Sequence, residues 1–297
     1  TCFNRLQKMK ILILGADGMI GHKIAHSLYQ DFDLILTSRK KISIESIGIN
    51  SGKLIYHDFL NNMTYDLLDK IMPDVIINCI GITTRRGIKD SFNNTILLNS
   101  KLPNSLDSWV QSNAKKLIHF STDCVFSGTK GNYLDNDKPD AYDLYGKTKS
   151  AGEINSSNTL NIRCSIIGRE LFNFTELFEW LILNKNKKIE GFSNVIYSGI
   201  TNVRMGKIIH YILKHKLNLS GIYNISSVPI SKYDLLVKLS EAFSLNIDIE
   251  ENTDNKSNKV LISKKFTEIT GMYPPNWDDL ISELKDDCKK FKSLYKN

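Results

Sequence analysis

Short apolar runs recur along this chain at the spacing of strands that alternate with helices. Lys10 to Leu14, Asp33 to Ser38, Lys53 to Tyr56 and Leu117 to Phe120 read as strands, as do Leu160 to Arg163 and Gly221 to Ile225. Pro73 to Gly81 is an apolar strand with a turn at its end, and such unbroken β-branched runs suit parallel strands covered on both faces. Helical periodicity fills the intervals at Met19 to Gln30, Thr64 to Ile71, Phe92 to Asn113 despite Pro103, and around Tyr145. Beyond Arg163 the alternation loosens, with helices expected at Thr175 to Leu183, Val203 to Lys214, Lys232 to Phe243 and Trp277 to Leu294. Gly128 to Pro139 is too rich in Gly, Asn and Asp for regular structure. The pattern predicts an α/β fold around a parallel sheet, with no repeat and no long linker.

Composition narrows the picture only a little. The chain has 297 residues, 41% of them hydrophobic and 24% charged, which is ordinary for a globular protein. No apolar run approaches the roughly 18 residues that point to a membrane span, so no membrane segment is expected. The formal charge is +7, but Lys and Arg are dispersed among acids. That favours an anionic small molecule over nucleic acid as partner. Cys2, Cys79, Cys124, Cys164 and Cys288 form neither a Cys-x-x-Cys pair nor a compact disulfide pattern, which fits a reducing, cytoplasmic setting. Thr1 to Lys8 precede Met9 without an apolar core, and residues 1–8 are read as an upstream segment with the natural start at Met9. His22 and His26 share a helix face but have no carboxylate or thiol at ligand spacing, so no metal is expected.

The chemistry-bearing stretches lie at the ends of the predicted strands. Gly15-x-x-Gly18-x-x-Gly21 follows the first strand and opens a helix. Gly15 permits the tight turn, Gly18 lets a diphosphate approach the backbone, and Gly21 allows close packing of helix on strand. Met19 and Ile20, between the glycines, are expected at the cofactor with them. The second strand ends in Ser38-Arg39-Lys40-Lys41, and Asp33 sits too early to hold a ribose. A basic end suits a 2′-phosphate, so NADP(H) is expected over NAD(H), with NAD(H) as the second option and Arg39 as the leading contact. Asp58 and Phe59, after the third strand, are expected near the adenine. Cys79 and Gly81 leave the carboxyl end of the fourth strand, where ligands of open α/β sheets bind.

The next such strand delivers Ser121 and Thr122 to that edge, followed by Asp123 and Cys124. Tyr145 and Lys149, four residues apart, rise from one face of a helix. An ammonium beside a phenol of pKa about 10 is expected to pull that value down and make it a proton donor.

Together, the glycine turn, Ser121-Thr122-Asp123 and Tyr145-x-x-x-Lys149 resemble an extended short-chain dehydrogenase/reductase. Ser-Thr-Asp-Cys-Val-Phe-Ser-Gly, Leu-Tyr-Gly-Lys-Thr-Lys-Ser-Ala-Gly-Glu and Ile162-Arg163-Cys164-Ser165 are similar to the dTDP-4-dehydrorhamnose reductase branch, over roughly Met9 to Leu239. The resemblance implies a Rossmann-type doubly wound parallel sheet with a smaller, interleaved carboxyl-terminal substrate-binding region. The core would be 9–164 with 196–225 returning to it, and the substrate region 165–195 with 226–297. The implied activity is NADPH-dependent reduction of a keto group on a nucleoside diphosphate deoxysugar, in polysaccharide biosynthesis. Thr122, Tyr145 and Lys149 would be catalytic. Ser121, Tyr145 and Lys149 would also meet the cofactor, while Thr83, Arg85, Thr122, Asp123, Cys124 and Tyr145 would meet the sugar. Cys124 and Ile166 stand where the rhamnose-forming enzymes commonly have Tyr and Trp, which leaves the sugar open. A sugar-nucleotide epimerase or dehydratase holding NAD tightly, and a non-catalytic NADP-binding regulatory subunit, use the same framework and stay as alternatives. The resemblance also implies a homodimer through the helices at Phe92 to Asn113 and Tyr145 to Ile154; apolar Leu97, Leu98, Leu102 and Trp109 suit such a surface and suit the core equally.

Overall fold

In the computed structural model, which describes residues 8–61, 65–83 and 92–295, seven parallel strands form the central sheet. They are β1 (Lys10–Leu14), β2 (Asp33–Ser38), β3 (Lys53–Tyr56), β4 (Val75–Asn78), β5 (Lys116–Phe120), β6 (Thr159–Arg163) and, far along the chain, β11 (Gly221–Asn224). Their order across the sheet is β11-β6-β5-β4-β1-β2-β3. The order reverses at β1, which pairs with β2 on one side and β4 on the other. That reversal opens a crevice at the carboxyl ends of β1 and β4, the place where doubly wound sheets bind ligands. Inner strands such as β4 are buried along their whole length, as expected for strands covered on both faces.

Two layers of helices cover the sheet. One core cluster joins Ile11, Ile13 and Leu36 to α1 (Gly21–Leu28) and to α7 (Asn202–His215). The opposite cluster joins Leu12, Leu14 and Ile76 to α2 (Tyr65–Ile71) and to a long interrupted helix. That helix comprises α3 (Phe92–Ile96), a π turn (Leu97–Lys101) and α4 (Leu102–Ser112). Leu98, Leu102 and Trp109 lie in this second core cluster. Of the two readings open for these residues, Leu98, Leu102 and Trp109 take the core one.

Helix α5 (Leu144–Ser150) is capped by Asp143, whose carboxylate accepts from Gly146 N at 2.9 Å. Downstream come β7 (Ile166–Ile167), α6 (Leu177–Leu183), β8 (Lys188–Phe192), β9 (Val195–Tyr197) and β10 (Ile200–Thr201). After β11 follow β12 (Ile230–Ser231), α8 (Lys232–Ala242), β13 (Asp248–Asn252), β14 (Ser257–Asn258), α9 (Lys264–Thr270) and α10 (Trp277–Lys290). The pairs β13·β8 and β10·β7 and the three-stranded β12-β9-β14 make small sheets beside the main one. Among the described residues, no helix is long and apolar enough to cross a membrane.

Candidate active site

Gly15 turns the chain out of β1 at φ +72°, a conformation that costs glycine least. The turn is tied to β2, with Ala16 N donating to Thr37 O at 2.9 Å and Gly15 N to Thr37 Oγ1 at 3.3 Å. A Cβ on Gly21 would overlap the Gly15 carbonyl, so α1 can pack this close only with glycine there. The three glycines thus bend one turn around the mouth of the crevice.

The crevice has two lobes that share Gly18, Cys79, Ile80 and Gly81 and so form one cleft. Gly15, Arg39, Lys40, His57, Asp58 and Phe59 line the first lobe. Arg39 is exposed at its rim, and Lys40 Nζ lies 3.8 Å from the centre of the Phe172 ring. The Asp58 carboxylate accepts from Leu60 N at 3.0 Å and Asn61 Nδ2 at 2.8 Å, shaping its own turn. The second lobe, a cavity of about 300 Å³, brings together Met19, Ile20, Thr83, Ser121, Thr122, Asp123, Cys124, Tyr145 and Lys149. Arg85 lies outside the described residues.

Lys149 Nζ donates to the Phe120 carbonyl at 2.6 Å, and burial pulls its pKa down to about 8 against the opposing charge of Glu153. The Tyr145 hydroxyl behaves differently from the sequence expectation. Burial, with the Cys124 thiol adding to it, holds its pKa above the ordinary value, and only the hydrogen bond with Thr122 works downward. The ammonium is engaged by the end of β5, so desolvation wins over charge in the free protein. Thr122 Oγ1 also donates to Asp123 Oδ1 at 3.1 Å and accepts from Cys124 N at 3.1 Å. Burial raises the Asp123 pKa, with Lys259 and Lys232 opposing. The Cys124 thiol is pushed up to about 12 by burial and by Asp123, so it stays protonated. Ser121 Oγ donates to Glu153 Oε1 at 2.6 Å, which commits that hydroxyl to the scaffold behind the cleft.

Several residues at this cleft had no role in the sequence reading. Asn99, in the π turn, donates from Nδ2 to Ile82 O at 3.0 Å and accepts at Oδ1 from Ile82 N at 2.8 Å, fixing the segment after Gly81. Its signal was available in Pro103, four residues on, which has no N–H for the Asn99 carbonyl and so interrupts the helix there. Glu176 accepts from Thr83 Oγ1 at 3.2 Å across the second lobe. His22 and His26, considered as metal ligands, bond instead to the carbonyls of Gly18 and Ile47.

Residues 9–178 match the family described as RmlD substrate binding domain. The spore coat polysaccharide biosynthesis protein SpsK of Bacillus subtilis is 24% identical over 92% of this chain and 96% of its own. The dTDP-4-dehydrorhamnose reductase of Aggregatibacter actinomycetemcomitans is 24% identical over 93% and 98% respectively. Among solved structures, the dTDP-4-dehydrorhamnose reductase of Bacillus anthracis in complex with NADP superposes with a TM-score of 0.77 at 19% identity, covering 94% of this chain and 99% of that one. With more than half its length matched and the seven-stranded parallel sheet in place, the chain belongs to the RmlD family within the extended short-chain dehydrogenases/reductases, which are NAD(P)-dependent oxidoreductases.

Proposed function

We propose that this protein reduces a keto group, at carbon 4, of a nucleoside diphosphate deoxysugar, with NADPH as cofactor. The observation that carries the reading is that Thr122, Tyr145 and Lys149 line the same cleft as the glycine turn. The residues present fit a dinucleotide. The turn carries no Cβ where a diphosphate would lie against it, and Arg39 and Lys40 offer positive charge at the far end for a 2′-phosphate. When bound, the reduced nicotinamide supplies hydride to the carbonyl carbon.

Tyr145 gives its proton to the developing alkoxide, and a phenol held above its ordinary pKa is in the protonated form that this requires. Thr122 hydrogen-bonds the same oxygen and stabilises charge as it appears. Lys149 holds the nicotinamide ribose and offsets the charge left on Tyr145. Asp123, Cys124 and Thr83 line the sugar side of the lobe. In this reading 9–164 with 196–225 is the dinucleotide core, and 165–195 with 226–297 clasps the sugar nucleotide. The support for that division is β11, which completes the main sheet, and β13, which pairs with β8 outside it.

The test is NADPH oxidation against a panel of nucleoside diphosphate 4-keto-sugars, with product stereochemistry read by NMR. Tyr145→Phe should reduce turnover to background while NADPH still binds; near-normal turnover would remove Tyr145 from the donor role. NADPH should be used more efficiently than NADH, and equal efficiency would overturn the assignment of the basic strand end. A purified protein that retains oxidised cofactor and consumes none would be an epimerase or dehydratase instead.

A further inference from the structure

His22 is fully buried one residue beyond Gly21, and its ring is held at both nitrogens. Nδ1 lies 2.8 Å from the Gly18 carbonyl and Nε2 lies 3.3 Å from the Tyr295 hydroxyl. A carbonyl only accepts, so Nδ1 carries the proton and Nε2 accepts from Tyr295. Burial, with Lys23 and His26 adding to it, pulls the His22 pKa well below its ordinary value and keeps the ring neutral, as this arrangement requires. The Gly18 carbonyl receives a second bond from His22 N at 3.2 Å. The next carbonyl, that of Met19, accepts from Asn202 Nδ2 at 2.9 Å, and Asn202 is fully buried at the start of α7.

A trans peptide is planar, with its N–H pointing opposite to its C=O. Holding the Gly18 and Met19 carbonyls from behind therefore aims the amides of Met19 and Ile20 the other way. Met19 and Ile20 line the second lobe, and Gly18 lines both. We infer that His22 and Asn202 are positioning residues for the cofactor diphosphate, clamping consecutive carbonyls of the glycine turn so that its amides face the anion, with Tyr295 setting the His22 ring. The inference rests on the cleft being a dinucleotide site. It joins α7 and the chain segment at Tyr295, both remote in sequence from the turn, to cofactor affinity.

The test compares the affinities of the full-length protein for NADPH and for 2′-AMP, which occupies the adenosine lobe but has no diphosphate. His22→Leu removes the Nδ1 donor and should weaken NADPH about tenfold, the effect of one lost buried hydrogen bond, with 2′-AMP changed by less than about twofold. His22→Asn puts an amide nitrogen at the branch position of Nδ1, so it should restore most of the NADPH affinity. Asn202→Ala should behave as His22→Leu does, and Tyr295→Phe should show the same selectivity at smaller size, about threefold. If His22→Leu does not fold, Tyr295→Phe and Asn202→Ala carry the same comparison. Equal weakening of both ligands, unchanged NADPH affinity, or no recovery in His22→Asn would overturn the clamp. A wild-type protein that binds neither ligand would overturn the dinucleotide reading itself, and does so before any variant is made.

Discussion

At Lys149 two demands meet on one nitrogen. The proposed reaction needs its charge beside Tyr145, yet its surroundings remove water from it and bring its pKa down to about 8. The spacing of Tyr145 and Lys149 was legible because helical periodicity puts them on one face. The direction of the phenol shift was not, because desolvation depends on everything packed around the pair. The depressed value has a consequence for stability that can be given a sign. In the unfolded chain Lys titrates near about 10.4, so between that value and about 8 the unfolded state binds more protons at this site than the folded state. The group therefore makes the protein more stable as pH rises through that window. Buried thiols such as Cys79 and Cys164, and Tyr145 itself, have raised values and act the other way as pH climbs past their ordinary range. The difference between wild type and Lys149→Met isolates the lysine. Urea unfolding from pH 8 to 9.5 should show the wild type gaining on the variant; a flat or falling difference would mean that the folded protein holds the ammonium at its ordinary strength.

Among the elements, the regular ones were readable and the interrupted or polar ones were not. The strands of the main sheet, β1 to β6 and β11, fall within a residue or two of their apolar runs; for inner strands such as β4, burial on both faces leaves no other pattern. In contrast, β13 has the sequence Asp-Ile-Glu-Glu-Asn, and β10, β12 and β14 are two residues each, so no periodicity marks them. The segment from Phe92 to Asn113 reads as one helix from its apolar spacing, and it is one helix with a π turn inserted. Pro103 removes the bond that Asn99 O would accept, and the widened turn brings that carbonyl against Gly152, where a Cβ would not fit. The same turn aims the Asn99 side chain at Ile82. Asn99→Ala leaves the N–H and C=O of Ile82 without this partner, at a cost of about 2 to 6 kcal/mol when each buried group carries its usual penalty. It should also weaken NADPH, because Gly81 and Ile82 line the first lobe. Unfolding midpoints and cofactor titration together check this; a stability loss with cofactor affinity untouched would confine Asn99 to the scaffold.

Across the whole molecule, the hardest relation to foresee was how segments far apart in the chain are joined behind the cleft. Glu153 and Arg163 each stood within a recognised stretch, Arg163 also as a strand end, and neither had a role. In the fold the pair is buried and bidentate, with Nε to Oε1 and Nη2 to Oε2 both at 2.7 Å. Arg163 further donates to the carbonyl of Asp135 at 3.1 Å, and its guanidinium lies 4.9 Å from the centre of the Phe126 ring. Glu153 in turn accepts from Ser121 at the end of β5. One ion pair thus ties the segment after α5 to β5, β6 and the polar loop. Contacts of this kind depend on tertiary placement, so composition and spacing carry no trace of them. Removing one partner leaves an uncompensated buried charge, which costs about 3 to 5 kcal/mol, whereas removing both leaves none. Glu153→Leu and Arg163→Met should therefore each lower the urea midpoint sharply, and the double variant should lose clearly less than the sum of the two. Because Ser121 and Thr122 are consecutive at the cleft, both single variants should also lose turnover. Additive stability losses would show that the two side chains act independently, and that the polar loop is held to the sheet by other means.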